Sequence, residues 1–216
     1  MKRLLVLVVA ALAVCSSASA RNPRLEHLAL RAADVSLAKD TVLRADDLGS
    51  GWTSRASKPN DDAPPDCPGQ DYSKFTITGQ AQSQFTRSGA QVLSRVEVYK
   101  SRADARGDFA VDQRAGTAAC EARALRAEFA KETKSTVTLV SAKQTKGPAT
   151  LGQHSIAFHI VLSLHRDGQT LPVHIELLGF IRDRVTASLV VVAPGAAPKG
   201  DELLAKAMDA RLQRVA

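Results

Sequence analysis

One tryptophan, two tyrosines and six phenylalanines are the whole aromatic content of this 216-residue chain. Nucleic-acid-binding surfaces set aromatic side chains among clustered lysines and arginines. No such cluster occurs here, which argues against a nucleic-acid partner. Cysteine is scarcer still, three residues in all, and neither a zinc-ligand spacing nor a nucleophile elbow is present. Gly49-Ser50-Gly51 is followed by no lysine and helix, so it is no phosphate loop. Past residue 20 no apolar run approaches the roughly 20 residues that span a bilayer, and the mature chain is expected to hold no transmembrane segment.

What is present begins with a leader. Lys2 and Arg3 precede the apolar run Leu4 to Val14, and Ala18-Ser19-Ala20 is a small-x-small cleavage pattern. These are the three parts of a secretory signal peptide. Residues 1–20 are therefore read as a signal peptide, and residues 21–216 as one extracytoplasmic domain, secreted or in the cell envelope. Cys15 offers another ending, a lipid anchor, but branched Val14 stands where lipoprotein processing takes a small residue, and anchoring is not expected. Loss of the leader takes Lys2 and Arg3 from the formal net charge of +7 and leaves +5, a balance suited to an anionic surface or acidic ligand. It also leaves two cysteines, Cys67 and Cys120. In an oxidising compartment such a pair is expected to form one disulfide; the alternative is two free thiols, and no His or Asn context marks either as a nucleophile.

Leu25, Leu28, Ala32 and Val35 recur at helical spacing and predict a helix from Pro23 to Lys39. Ser54–Asp71 holds four prolines and reads as a long loop. Gln80–Thr86 and Val92–Tyr99 read as a hairpin about Ser88-Gly89. Arg102–Glu132 is alanine-rich and charged, the longest helix candidate, with Gly107 and Gly116 as points to bend or break. Strands are expected over Ser135–Thr145, His154–Arg166, Gln169–Arg182 and Val185–Gly195, with Asp167-Gly168 as a type I′ turn. Asp201–Val215 is an amphipathic helix with acids first and arginines last, as the helix dipole prefers. The fold class is α+β: a twisted antiparallel sheet of about five to six strands, one face covered by N-terminal, middle and C-terminal helices.

Pairing across the Asp167-Gly168 turn sets His159 opposite Glu176 and Val161 opposite His174, on one face with Ser163 and His165. Phe158, Ile160, Leu162, Leu164, Val173, Ile175 and Leu177 take the other face, the core. His159, His174 and Glu176 are candidate metal ligands. A solvated cross-strand His–Glu pair is the plainer reading, because the three are spread over strands without a tight ligand spacing. No metal and no cofactor are expected. Asp46 and Asp47 are candidates for general acid–base work, with a local turn cap as the simpler role. Trp52, flanked by Gly49 and Gly51, is either a plug closing one end of the core beside Leu43 and Leu48, or the wall of a ligand site.

"VLRADDLGSGW", Val42 to Trp52, resembles an opening motif of actinobacterial secreted proteins. These are similar to the extracellular sensor domain of mycobacterial serine/threonine kinases (PknH-like) and to related exported lipoproteins. "EVYKS", then "RADARGDF" with a cysteine further on, then the strand meander and final helix, agree in order over Leu25 to Val215. The resemblance implies a disulfide-stapled antiparallel sheet with helices packed on it, no enzymatic activity, and an apolar-lined cleft for a ligand. Here no kinase domain, spanning helix or second disulfide accompanies it, so only the binding-module idea carries over. The expected function is thus an exported, non-enzymatic, sensor-like module. It would bind a small apolar or glycan-like ligand or an envelope component, with Trp52, Phe158 and Phe180 as cleft walls. The alternatives are a metal-assisted envelope hydrolase using His159, His174 and Glu176, and a structural envelope protein.

Overall fold

A computed structural model of the chain describes residues 27–55, 67 and 70–215. The expected leader, Cys15 and most of the proline-rich segment lie outside the described residues. In chain order the elements are α1 (Ala32–Thr41), the single-turn α2 (Ala45–Leu48), β1 (Thr53–Arg55), β2 (Ile77–Arg87), β3 (Ala90–Tyr99), α3 (Arg102–Asp112), α4 (Thr117–Thr133), β4 (Thr136–Lys146), β5 (His154–Arg166), β6 (Gln169–Arg182), β7 (Val185–Pro194) and α5 (Asp201–Val215). The strands form one open antiparallel sheet of order β1-β2-β3-β7-β6-β5-β4. The class is α+β, with helices packed on a sheet. Among the described residues no helix is long and apolar enough to cross a membrane.

Two features differ from expectation, each for a local reason, and a third, the break in the middle helix, falls at one of its two expected points. The first helix starts at Ala32 rather than Pro23, because the chain before it is spoken for by β2. Leu28 bridges Ile77 in parallel, Ala29 N–H donates to the Ile77 carbonyl at 2.9 Å and Arg31 N–H to Thr78 at 2.7 Å. The sheet has seven strands rather than five or six, since Thr53–Arg55, at the start of the supposed proline loop, pairs with the outer edge of β2. The long middle helix breaks over Gln113–Gly116 into α3 and α4. At the head of α3 the Ser101 hydroxyl accepts from Asp104 N–H at 3.0 Å, a side-chain N-cap.

The helices also lie on both faces of the sheet instead of one. Strand residues alternate sides, so odd and even positions sort the packing. On one face α1 and α5 seat Ala38, Val42, Ala205, Met208 and Leu212 on Phe85, Val92, Val96, Ala187, Leu189 and Phe180. On the other, α3 and α4 bring Phe109, Ala118, Ala122 and Phe129 onto Ile156, Ile160, Leu162, Leu164, Val173 and Ile175. The two layers are offset: α1 meets β2 and β3, α5 meets β6 and β7, and α4 is seated on β4 and β5. The α1/α5 face of β4, β5 and outer β6 thus keeps its polar side chains, including His159, His165, His174 and Glu176, beyond the buried clusters.

Turn chemistry sets the register. Asp167 (φ 51°) and Gly168 (φ 73°) both take positive φ, as a type I′ turn requires. β5 and β6 then pair with constant register from His154↔Ile181 to Arg166↔Gln169. Cys67 and Cys120 are joined by a disulfide that links residues 53 positions apart and fixes the segment at Cys67 to the first turns of α4.

Candidate functional site

Constant register across β5 and β6 places His159 opposite Glu176 and Val161 opposite His174, as the turn predicts. His159 Nδ1 contacts Glu176 Oε2 directly, and its Nε2 lies 3.3 Å from the Thr145 hydroxyl of β4. Hydroxyl, imidazole and carboxylate therefore stand in series across three adjacent strands. The His159 side chain is 45% exposed, while Glu176 is 16% exposed. Burial pushes the Glu176 carboxyl above its ordinary range; the neighbouring His159 pulls it down by charge and hydrogen bond, and Asp201 at the head of α5 pushes it up again. His174 contributes a favourable field to Glu176. Further along the face His165 lies between two more hydroxyls, Thr138 at 3.3 Å from Nε2 and Thr170 at 3.0 Å from Nδ1.

The cross-strand His–Glu pair is the arrangement found. Among the described residues no three His, Cys, Asp or Glu side chains converge in a way that could hold a metal ion. His174 sits near enough to act on Glu176 electrostatically, yet the three candidates do not gather round one point. Asp46 and Asp47 both fall in α2. Asp47 accepts from Arg44 N–H at 2.7 Å and from Arg211 Nη2 at 2.6 Å, which makes it a cap that also tethers α5.

The residues considered as cleft walls are not brought together. Phe180 is fully buried beneath α1 and α5, and Phe158 is buried on the opposite face with Ala105 and Phe109. The parity of the β5–β6 register separates them, since Phe158 pairs with Leu177, one face away from Phe180. Trp52 lies half-buried at the margin of the α1/α5 cluster, packed with the same group as Leu43 and Leu48. The Arg87 guanidinium covers its ring at 4.7 Å from the centroid and reaches the Ser50 carbonyl at 3.4 Å.

Two features had no counterpart in the sequence reading. The threonines that serve the histidines, Thr138, Thr145 and Thr170, belong to β4 and the start of β6. Their shared parity with His165 and His159 was the available signal, but the bulge between Leu139 and Ser141 shifts the register and hides it. A cleft of about 210 Å³ also opens beside the disulfide, bordered by Gln70, Arg114, Gly116, Thr117 and Arg123.

No protein-family model matches the chain, and no curated protein matches it.

Proposed function

We propose that this protein is an exported, non-enzymatic, sensor-like module. It binds a polar, glycan-like ligand or envelope component on the open sheet face centred on His159 and Glu176. The observation that carries this reading is a run of hydrogen-bonding side chains outside the helix layers, on rigid strands: Lys143, Thr145, His159, His165 and Glu176. Strand-borne polar groups of fixed spacing suit a ligand rich in hydroxyls, and their partial exposure leaves donors and acceptors for it. Phe158 and Phe180 are buried on opposite faces and form no shared apolar wall, which supports a polar ligand on this face over an apolar one. The leader at residues 1–20 supports export, and the likeness of Val42–Trp52 to the kinase sensor domains supports a binding role.

The test is a titration of the purified protein with glycan and peptidoglycan fragments, followed by amide and imidazole NMR. Binding is expected to shift His159, His165 and Lys143, and His159→Ala is expected to weaken it about tenfold, as loss of one hydrogen-bond partner to the ligand does. Unmoved signals on this face with every fragment class would end the proposal.

One observation favours a second reading. Thr145, His159 and Glu176 occupy the positions of nucleophile, base and orienting carboxylate, with hydroxyl and carboxylate on opposite ring nitrogens. If the face is hydrolytic, activated esters will acylate Thr145 and Thr145→Ala will abolish turnover. No adduct on intact-mass analysis leaves the binding reading alone.

A further inference from the structure

The sheet ends on β4, and its outer edge is a different kind of surface from the polar face. β1, the opposite edge strand, is three residues long. β4 runs for eleven and, among the described residues, pairs only with β5. In an antiparallel strand every second residue turns its N–H and C=O away from the neighbour, so β4 presents a row of unclaimed main-chain groups. Val137 is buried under α4, while Thr136, Thr138, Lys143, Thr145 and Lys146 are exposed. Of four exposed large apolar side chains among the described residues, two adjoin on this strand: Leu139 at 36% and Val140 at 63%.

Charge decides what such an edge accepts. β4 and β5 together hold no acid; they hold Lys143, Lys146, Arg166 and three histidines. Lys134, exposed, stands just before β4. Lys134, Lys143 and Lys146 make no ion pair with any described residue. A second copy is poorly matched. Two β4 strands paired antiparallel would gather Lys143 and Lys146 of both copies on one ladder, and like charges brought together there destabilise it. Lysines and the bulge at Val140 are devices that keep edges from self-pairing. Lys143 pairs with His159 and Lys146 with Ile156, so the two stand on opposite faces of β4 and together attract an extended strand with acids on both faces.

We infer that the β4 edge is a docking site for an extended acidic peptide segment of another protein, added as an eighth strand by main-chain pairing. The lysines select its charge and Leu139 and Val140 supply an apolar contact. The docking site shares Lys143 with the proposed polar-face site and differs from it in using the backbone edge and a peptide partner.

The experiment uses the purified protein and two ten-residue probes, one repeating Glu-Glu-Val-Val and one repeating Lys-Lys-Val-Val, so that each face of the added strand carries charge. Amide hydrogen exchange is read residue by residue. The acidic probe is expected to slow exchange of alternate β4 amides about tenfold or more, with affinity that falls as salt rises. The lysine probe is expected to have no effect. The double reversal Lys143→Glu with Lys146→Glu, at two exposed positions, is expected to weaken the acidic probe about tenfold and admit the lysine probe. No protection on β4 with the acidic probe, equal protection with both probes, or concentration-dependent self-association that protects β4 without any probe would each overturn the inference. Shifts confined to His159 and its neighbours with no β4 protection would also overturn it, while leaving the polar-face reading intact.

Discussion

At Gly79 α1 lies close against the sheet. α1 crosses β2 there, and a Cβ at this position would collide with the Asp34 carbonyl and lie 2.7 Å from Val35 N. Neither obstacle is a flexible side chain, so Gly79→Ala must push α1 off the sheet. Overpacking of this kind is expected to cost about 3 kcal/mol, read as a drop in the urea midpoint. Asp34, at the same crossing, is fixed by Arg184 from 150 residues away, with contacts of 2.5 and 2.9 Å. The Arg184 guanidinium, by hydrogen bond and then by charge, holds the Asp34 carboxyl down at about 2. A depressed carboxylate adds stability that is complete above its unfolded pKa and lost as pH falls through the folded one. With Arg184 a third exposed, the contribution is about 1–2 kcal/mol. Asp34→Asn should cost that much at pH 7, and the gap from wild type should close between pH 4 and 2. Glu132 on α4 works in the opposite sense. Burial, then the charge of Glu128, raises it to about 7, and its Oε2 is buried without a hydrogen-bond partner. Its ionisation costs nothing below pH 4.5 and costs progressively more up to pH 7. Glu132→Gln should therefore raise stability by about 1 kcal/mol at pH 8 and leave it unchanged at pH 4, measured by urea titration at both pH values.

Among the elements, α5 depends most on ion pairs. Arg182 donates to both Asp209 oxygens at 2.8 and 2.9 Å, and Gln213 donates to Oδ2 at 2.8 Å. Arg211 adds the Asp47 carboxylate and the Val42 carbonyl. Asp209 is 2% exposed, so Asp209→Ala strands Arg182 and should cost about 3 kcal/mol. Amide exchange should rise across α5 and not across β4 and β5. Most of these elements could be read from the sequence because their signals are local: alternation in Val92–Val98, the paired turn residues Asp167-Gly168, the acid-to-arginine order of α5. What escaped depends on distant partners. β1 is only a strand because β2 offers it an edge, and residues 28–31 are extended because β2 takes their N–H groups. The His159–Glu176 pair was legible through register arithmetic, whereas Thr145 was hidden by the bulge in β4. The separation of Phe158 from Phe180 follows from the same register, but which face each helix covers does not.

Across the whole molecule the sheet is two locally wound pieces. One is the β1–β3 end, the other the β4–β7 meander, and a single ladder, β3 with β7, joins them. The disulfide is a covalent tie in the same region of the sequence order, from Cys67 before β2 to Cys120 in α4. Closing a loop of this length is worth up to about 4 kcal/mol in the chain-entropy account. Reduction, or Cys67→Ala with Cys120→Ala, should lower the unfolding free energy by roughly 2–4 kcal/mol while far-UV circular dichroism stays that of a folded sheet. Full collapse of the spectrum at low temperature would instead mean that the core cannot stand without the bond.

The β3–β7 ladder also sets a clock. Tyr99 ends β3 and Pro194 ends β7, so 95 residues must be polymerised after the first strand is complete before its partner is. At about 5–20 residues per second this is roughly 5–20 s. Throughout that interval the nascent β2–β3 hairpin carries an unsealed inner border. Until β7 arrives that border is open to any other strand, and a holding factor would slow such pairing.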